Sequence, residues 1–427
     1  MRKQYAIILL AAAAFVLSCQ KNTISDDSFD PDSPVTYQLR QGKSPKRGVS
    51  FNFGSLPDTD IPLLGNAVTW SYDWSSRVPS EATQTLFAQF GMDWCPMIWN
   101  GNYDPENIRT WKRTHPEAQY ILAFNEPNLK DQANMTPAQA AALWPNVVSL
   151  AQELGMKLIS PALNYGTLPD YHDPIKWMDE FLAQPGVSLD QIDGIALHCY
   201  MPSAASVKNF IDMFKKYGKP IWLTEFCNGN SDNISEDAQL RYMCETVNML
   251  EAHENVFRYA WFMPRGGFNS KWHNNLLTSK APFELTTLGT VFVNFPTYDK
   301  SVVYKSGELI PAEQYSAASY QVHLAPSTDN NGGVLEISEL PKDGWVEYKL
   351  SIPSAGAHKV YLRYKTYRET SLAVSLNGAE IAVKKIPSTD KEWVSSYFTL
   401  DIPAGESTLR LTGNSGATLA LNWLMIR

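Results

Sequence analysis

The chain is 427 residues long and carries a formal charge of −8, with 13 Trp and 20 Tyr. An acidic surface argues against nucleic acid as the partner, and no apolar run is long enough to cross a membrane as a helix. Aromatics in this number suit a protein that stacks rings on flat, uncharged faces such as those of sugars, once the core has taken its share.

Residues 1–18 read as an export leader, with Arg2 and Lys3 ahead of an apolar run from Ala6 to Leu17. The stretch "VLSC" resembles the bacterial lipoprotein processing site. That resemblance implies lipidation of Cys19 and anchoring at the outer membrane, on the cell surface or the periplasmic face. An ordinary leader cleaved elsewhere would leave Cys19 incidental. Loss of the leader removes two cations and takes the charge from −8 to −10. Residues 19–47 are polar and rich in Ser, Asp, Pro and Lys, and are expected to form a flexible tether. The lipid is then the only expected contact with the membrane. Cys95, Cys199, Cys227 and Cys244 show no metal-ligand spacing, which leaves buried thiols or one disulfide.

From residue 48 to 297, short apolar runs alternate with helical spacing. Strands are predicted at "GVSFNF", "AVTWSY", "DWCPMIW", "QYILAFN", "KLISPA", "GIALHCY", "PIWLTEF" and "FRYAWFM". Helical periodicity runs through "PSEATQTLFAQFG", "TPAQAAALWPNVVSLAQELG", "SVKNFIDMFKKYG" and "SEDAQLRYMCETVNMLEAH", with Gly155 and Gly218 at C-cap positions. Eight buried strands with helical crossovers over about 250 residues predict an α/β fold, the (β/α)8 TIM barrel. An open α/β sheet is compatible with the same order. Residues 309–427 lose the helical pattern. Period-2 runs such as "WVEYKLSIP" and "HKVYLRYK", separated by turns, predict an antiparallel β-sandwich of jelly-roll type.

Two glutamates stand out against the barrel. Glu126 follows the fourth predicted strand and Glu225 ends the seventh, so both reach the catalytic end from opposite sides of the mouth. A carboxylate pair is what glycosidic cleavage requires: one protonates the leaving oxygen, the other attacks the anomeric carbon or activates water. A salt bridge or a cap would account for either glutamate alone. Tyr200 ends the sixth strand and can donate its hydroxyl to a nucleophile, or be a buried aromatic. His198 points the same way and either orients a carboxylate or sits satisfied in the core. Asn125 is placed to bind a sugar 2-hydroxyl. Trp70, Tyr72, Trp99 and Trp261 fall near predicted strand ends, where stacking platforms belong, whereas Trp111, Trp144 and Trp177 read as packing.

The ordered motifs "VTWSYDW", "CPMIWN", "LAFNEPN", "IDGIALHCYMP", "PIWLTEF" and "YAWFMP" resemble glycoside hydrolase family 128 over residues 48 to 295. The resemblance implies a retaining endo-β-1,3-glucanase with Glu126 as acid/base and Glu225 as nucleophile. Trp261 would match the clan's strand-eight platform. No cofactor is implied, the partner is a β-glucan oligo- or polysaccharide, and the protein is expected to be a monomer. Two other readings use the same residues: a glycan-capture lipoprotein that has lost activity, and a β-glucan transglycosylase.

The C-terminal stretch, from "IPAEQYS" to "LALNWLMIR", resembles carbohydrate-binding module family 6. That family implies a structural calcium held partly by two glutamates flanking an alanine. Pro311 replaces the first, and only Glu313 remains. Of the family's sugar-binding loop residues, Trp393 matches the Trp, while Glu339 and Ala420 stand where a Tyr and an Asn are usual.

Overall fold

The structure, a computed structural model, describes residues 30–31, 33–36, 39–267 and 269–427, so the leader and Cys19 lie outside the described residues. Strands and helices alternate from Arg47 onward. The strands are β1 (Arg47–Ser50), β2 (Trp70–Tyr72), β3 (Asp93–Trp94), β4 (Tyr120–Asn125), β5 (Lys157–Ala162), β6 (Ile195–Cys199), β7 (Ile221–Phe226) and β8 (Val256–Trp261). The helices are α1 (Pro57–Leu64), α2 (Glu81–Phe90), α3 (Pro105–Thr114), α4 (Pro137–Leu154), α5 (Pro174–Leu182), α6 (Ala204–Met213), α7 (Glu236–Ala252) and α8 (Thr287–Asn294).

Parallel pairing runs β3–β2–β1–β8–β7–β6, and β4 pairs with β5. Bridges Met97–Leu122, Ile159–Gly194 and Leu163–Leu197 join the two sets and close the ring. The protein is therefore a parallel β/α barrel, not an open sheet. Helix α4 shows how local sequence sets its limits. Thr136 and Gln139 form a capping box, Pro137 occupies the first turn, and Gly155 closes the helix at φ +60°. Gly218 closes a 3₁₀ turn that extends α6, at φ +64°.

Two apolar layers follow from the alternation of side chains along each strand. The inner one fills the barrel with Trp70, Tyr72, Met97, Tyr120, Leu122 and Trp222. The outer one lies between strands and helices and continues into the C-terminal domain.

That domain holds β9 (Tyr304–Lys305), β10 (Leu309–Pro311), β11 (Ala317–Ala318), β12 (His323–Pro326), β13 (Leu335–Leu340) and β14 (Trp345–Ile352). It continues with β15 (Gly356–Thr366), β16 (Thr370–Leu376), β17 (Ala379–Ile386), β18 (Val394–Ile402), β19 (Gly405–Gly413) and β20 (Leu419–Ile426). One sheet runs β12–β13–β20–β15–β18 with β10 on β20. The other runs β11–β14–β19–β16–β17 with β9 on β14. Except for the parallel β9–β14 pair, the pairings are antiparallel.

The sandwich grips the barrel through α7. Asn248, fully buried, donates to Val322 O at 2.9 Å and accepts from the hydroxyls of Tyr315 at 2.9 Å and Tyr298 at 3.0 Å. Arg241 pairs with Glu339, and His323 Nε2 lies 2.9 Å from Glu245.

The expected tether needs correcting in its described part. Val35 N donates to Asn331 O at 2.7 Å, Ser395 Oγ to Pro31 O at 2.7 Å, and Gln41 Nε2 to Tyr315 O at 2.8 Å. Arg47 is not tether at all: it begins β1 and is buried against Glu251 at 2.8 Å. This segment has too few apolar residues for a core of its own, but its backbone groups find partners on the sandwich.

Candidate active site

The "NEP" turn places Glu126. Strand β4 ends at Asn125, and Glu126 takes φ +43°, a left-handed conformation that costs a non-glycine residue about 1 kcal/mol. Pro127 disfavours the right-handed helical region for the residue before it, and Leu129 N donates to Glu126 O at 3.0 Å to close the turn. The side chain is 8% exposed.

Glu225 is turned to the mouth by an irregularity in β7. Leu197 pairs with Leu223, but His198 pairs with Glu225, so Thr224 is an extra residue in the ladder. Trp222 points into the barrel and Leu223 outward; after the extra residue, Glu225 faces the mouth and Phe226 the outer layer. Its Oε1 accepts from Tyr72 Oη at 2.9 Å and Trp74 Nε1 at 2.6 Å, and its Oε2 accepts from Tyr200 Oη.

His198, fully buried on β6, stands between the two acids. Its Nδ1 is 3.0 Å from Glu126 Oε1 and 3.4 Å from Glu225 Oε2. One oxygen of each glutamate and a ring nitrogen all lie within 4.8 Å of one another. Burial pushes the Glu225 carboxyl above the usual range. The His198 cation pulls it back, the Glu126 charge raises it further, and the Tyr200 and Trp74 donors lower it. For His198, burial opposes the charge, but the two carboxylates outweigh it and its pKa is raised. Three donors, Tyr72, Trp74 and Tyr200, thus reach Glu225 and favour its ionised form against the burial and the Glu126 charge that hold its pKa above the usual range.

The other predicted residues divide. Asn125 is buried at the same strand end. Its Nδ2 donates to Gln132, while its Oδ1 has no partner among the described residues. Trp99 is half-buried at the mouth, its carbonyl accepting from Asn125 N at 2.9 Å. Trp70 and Trp261 are fully buried and cannot meet a sugar. Trp70 does point inward, but deep in the barrel, against Trp222 at 5.4 Å and under Arg258. Positions 70, 72 and 74 share one face, so the upper two reach Glu225 while the lowest is core. Tyr72 is itself buried and is a donor, not a platform.

Trp261 has the opposite parity. Ala260 faces the interior, so Trp261 packs outward on Phe226 at 5.1 Å and donates to Asn274 O at 2.8 Å. Trp74 and Phe262 were missed. Trp74 lies in "VTWSYDW", two positions beyond Tyr72, and that spacing was the available signal. Phe262 packs on Trp74 and Tyr200 at 5.9 and 5.5 Å.

The glutamate–histidine trio has the donor set of a metal site, yet the hydroxyl and indole hydrogens aimed at Glu225 are a poor surrounding for a cation. In the sandwich, Glu313 is fully buried, both of its carboxylate oxygens are without a hydrogen-bond partner among the described residues, and burial pushes that carboxyl up to about 8. It brings one carboxylate to the calcium that the sequence resemblance raised, an ion that takes about six to eight oxygens. Trp393 donates to Thr328 Oγ1 at 3.2 Å and lies under Lys365. Glu339 is committed to Arg241 at the domain interface and Ala420 is buried, so these positions do not assemble the loop site of that family. The four described cysteines are free and buried. A cavity of about 570 Å³ beside the N-terminal ends of α7 and α8 contains neither glutamate, so the carboxylate geometry, not volume, locates the site.

A closed parallel barrel with two acids meeting at its mouth defines a protein of the glycosidase class. The glycosyl hydrolase catalytic core family matches residues 48–292 and stops before the sandwich. The chain is similar to a solved GH128 (subgroup II) endo-β-1,3-glucanase from Pseudomonas viridiflava, at 37% identity and a TM-score of 0.53, covering 59% of this chain and 98% of that one. A second such enzyme, from Sorangium cellulosum, is 33% identical, with a TM-score of 0.49 and coverage of 58% and 97%. Alkali-sensitive linkage protein 1 of Schizosaccharomyces pombe is 27% identical over 262 residues, which are 59% of this chain but 45% of that protein. The chain belongs to the glycosyl hydrolase catalytic core family and, within it, to glycoside hydrolase family 128.

Proposed function

We propose that the barrel cleaves β-1,3-glucan of the laminarin or curdlan type within the chain, by double displacement with retention. Glu126 gives its proton to the departing glycosidic oxygen while Glu225 attacks the anomeric carbon and forms a glycosyl ester. Glu126 then takes a proton from the water that attacks the same carbon, and Glu225 leaves as the carboxylate. The observation that carries this reading is the separation of the acids, whose nearest oxygens lie within 4.8 Å. That suits direct attack, whereas inversion needs about 6.5–9.5 Å to admit a water.

The donors on Glu225 stabilise it as attacking carboxylate and as leaving group. The Oδ1 of Asn125, without a partner among the described residues, is available to a sugar hydroxyl. The substrate class rests on the likeness to the Pseudomonas endo-β-1,3-glucanase. The residues carry this reaction without a cofactor, and Cys19 would tether the enzyme to the outer membrane as a lipoprotein. Release of new reducing ends from laminarin tests the reading, and Glu225→Ala and Glu126→Gln should both abolish it while leaving the thermal transition in place. The first-formed reducing end should be the β-anomer, and the viscosity of a soluble glucan should fall before glucose accumulates. An α-anomer would overturn retention; glucose as the first product would overturn the internal cut.

A further inference from the structure

The loops that follow β7 and β8 are stitched together beside the nucleophile. Gln239, fully buried on α7, accepts from Asn228 N at 3.1 Å and donates to Asn228 O at 3.0 Å and to Trp272 O at 2.7 Å. Ile234 N donates to Lys271 O at 2.9 Å, and Asn269 Nδ2 to Asp232 O at 2.9 Å. Gly229 N donates to Tyr200 O at 3.2 Å, which ties the same loop to the end of β6. The Trp272 ring rests against this junction. A Cβ at Gly229 would stand 3.0 Å from its Cη2, and its centroid is 6.1 Å from that of Tyr200, the residue that donates to Glu225.

Trp272 is only partly buried, yet its Nε1 is enclosed with no acceptor among the described residues. Among the described residues no side-chain hydrogen bond pins the ring. Its place is set by packing on Gly229 and Tyr200 and by the Gln239 bond to its carbonyl. A half-exposed indole beside the nucleophile's donor is suited to the C–H face of a sugar. On the other oxygen of Glu225 stands the half-buried Trp74, two residues beyond β2.

Resting on the glycosidase reading, we propose that Trp272 is the sugar-stacking wall on the β8 side of the cleft. Gln239 is the positioning residue that holds it there. Stacking of this kind amounts to about three- to tenfold in affinity. With the full chain acting on laminarihexaose, Trp272→Ala should raise KM by about that factor with a smaller change in kcat, and Trp272→Phe should recover most of the loss. Gln239→Leu should raise KM in the same direction, and the double variant should be no worse than Trp272→Ala, because both act through one ring. A merely structural Gln239 would add its loss in KM to that of Trp272→Ala in the double variant, which would overturn its positioning role. Should Gln239→Leu fail to fold, the two Trp272 variants decide the stacking wall alone. An active parent with an unchanged KM in Trp272→Ala overturns this inference only. A parent that releases no reducing ends overturns the glycosidase reading and takes this inference with it.

Discussion

Removing the Tyr200 hydroxyl is the sharpest probe of the proposed nucleophile. Tyr200→Phe leaves Glu225 Oε2 with one hydrogen-bearing neighbour, His198 Nδ1, at 3.4 Å. Oε1 keeps both of its donors, Tyr72 at 2.9 Å and Trp74 at 2.6 Å. A hydrogen bond to a charged group contributes about 1.5–3 kcal/mol, so kcat/KM should fall about 10- to 150-fold. Tyr72→Phe should sit at or below the lower end of that range, since Trp74 still serves the same oxygen. The pH profile carries a sign as well. A donor favours the carboxylate, so its loss lifts the Glu225 carboxyl further above its already raised position. The nucleophile must be ionised, and the acidic limb of kcat/KM against pH therefore moves upward. Initial rates on a soluble β-1,3-glucan across the acidic and neutral range read both effects. A Tyr200→Phe enzyme with parental rate and an unmoved acidic limb would refute the assignment of Glu225 as a donor-stabilised nucleophile.

Three further outcomes follow from the packing. Glu313, whose carboxyl burial pushes up to about 8, stabilises the fold in its neutral form; that contribution is complete below the unfolded value near 4.5 and is lost as pH rises through about 8. The gap corresponds to an upper bound of about 5 kcal/mol, so chemical denaturation on either side of this window should show a fall that Glu313→Gln abolishes. Asn248→Leu leaves two tyrosine hydroxyls and the Val322 carbonyl without their interface partner, and should lower stability by about 2–4 kcal/mol in calorimetry. Trp261→Ala should cost about 3–5 kcal/mol in urea denaturation, because the ring is core; an unchanged midpoint with a raised KM would restore it as a platform.

The barrel was legible because eight apolar runs separated by helical periodicity admit few architectures, and because capping residues such as Thr136 and Gly155 act locally. Less legible were the short or weakly amphipathic helices. Helices α1 and α8 span 8 residues each, and their stability comes from the barrel wall they cover, not from their own pattern. The tether misled for a related reason. Composition reports whether a segment can build a core, but not whether another domain offers its backbone groups partners, as Asn331 and Ser395 do.

At the site, both acids were legible from type and strand order, while the aromatics were not, and the difference lies in parity. A residue at a strand end can face the mouth, the deep interior or the helical layer, and one position changes which. Trp261 packs on Phe226 among the helices, while Phe262, one residue on, packs on Trp74 and Tyr200 beside the acids; Trp70 and Trp74 share a face but not a depth. Strict alternation from Trp222 would even send Glu225 to the helical side. The extra Thr224 in β7 reverses that, and near the end of β4 Ala123 and Phe124 both pack outward, where alternation allows one, before Glu126 leaves at positive φ. Both carboxylates therefore occupy points where the strand departs from its own repeat. Sequence rules are expected to fail where function has displaced regularity, and β-bulges beside active sites are one physical form of that displacement. Because Thr224 is the extra residue, deleting it leaves Glu225 next after the outward Leu223 and still facing the mouth; inserting one Ala between Thr224 and Glu225 should instead turn the carboxylate to the helical side, and measured laminarin hydrolysis should then be lost even though both glutamates remain.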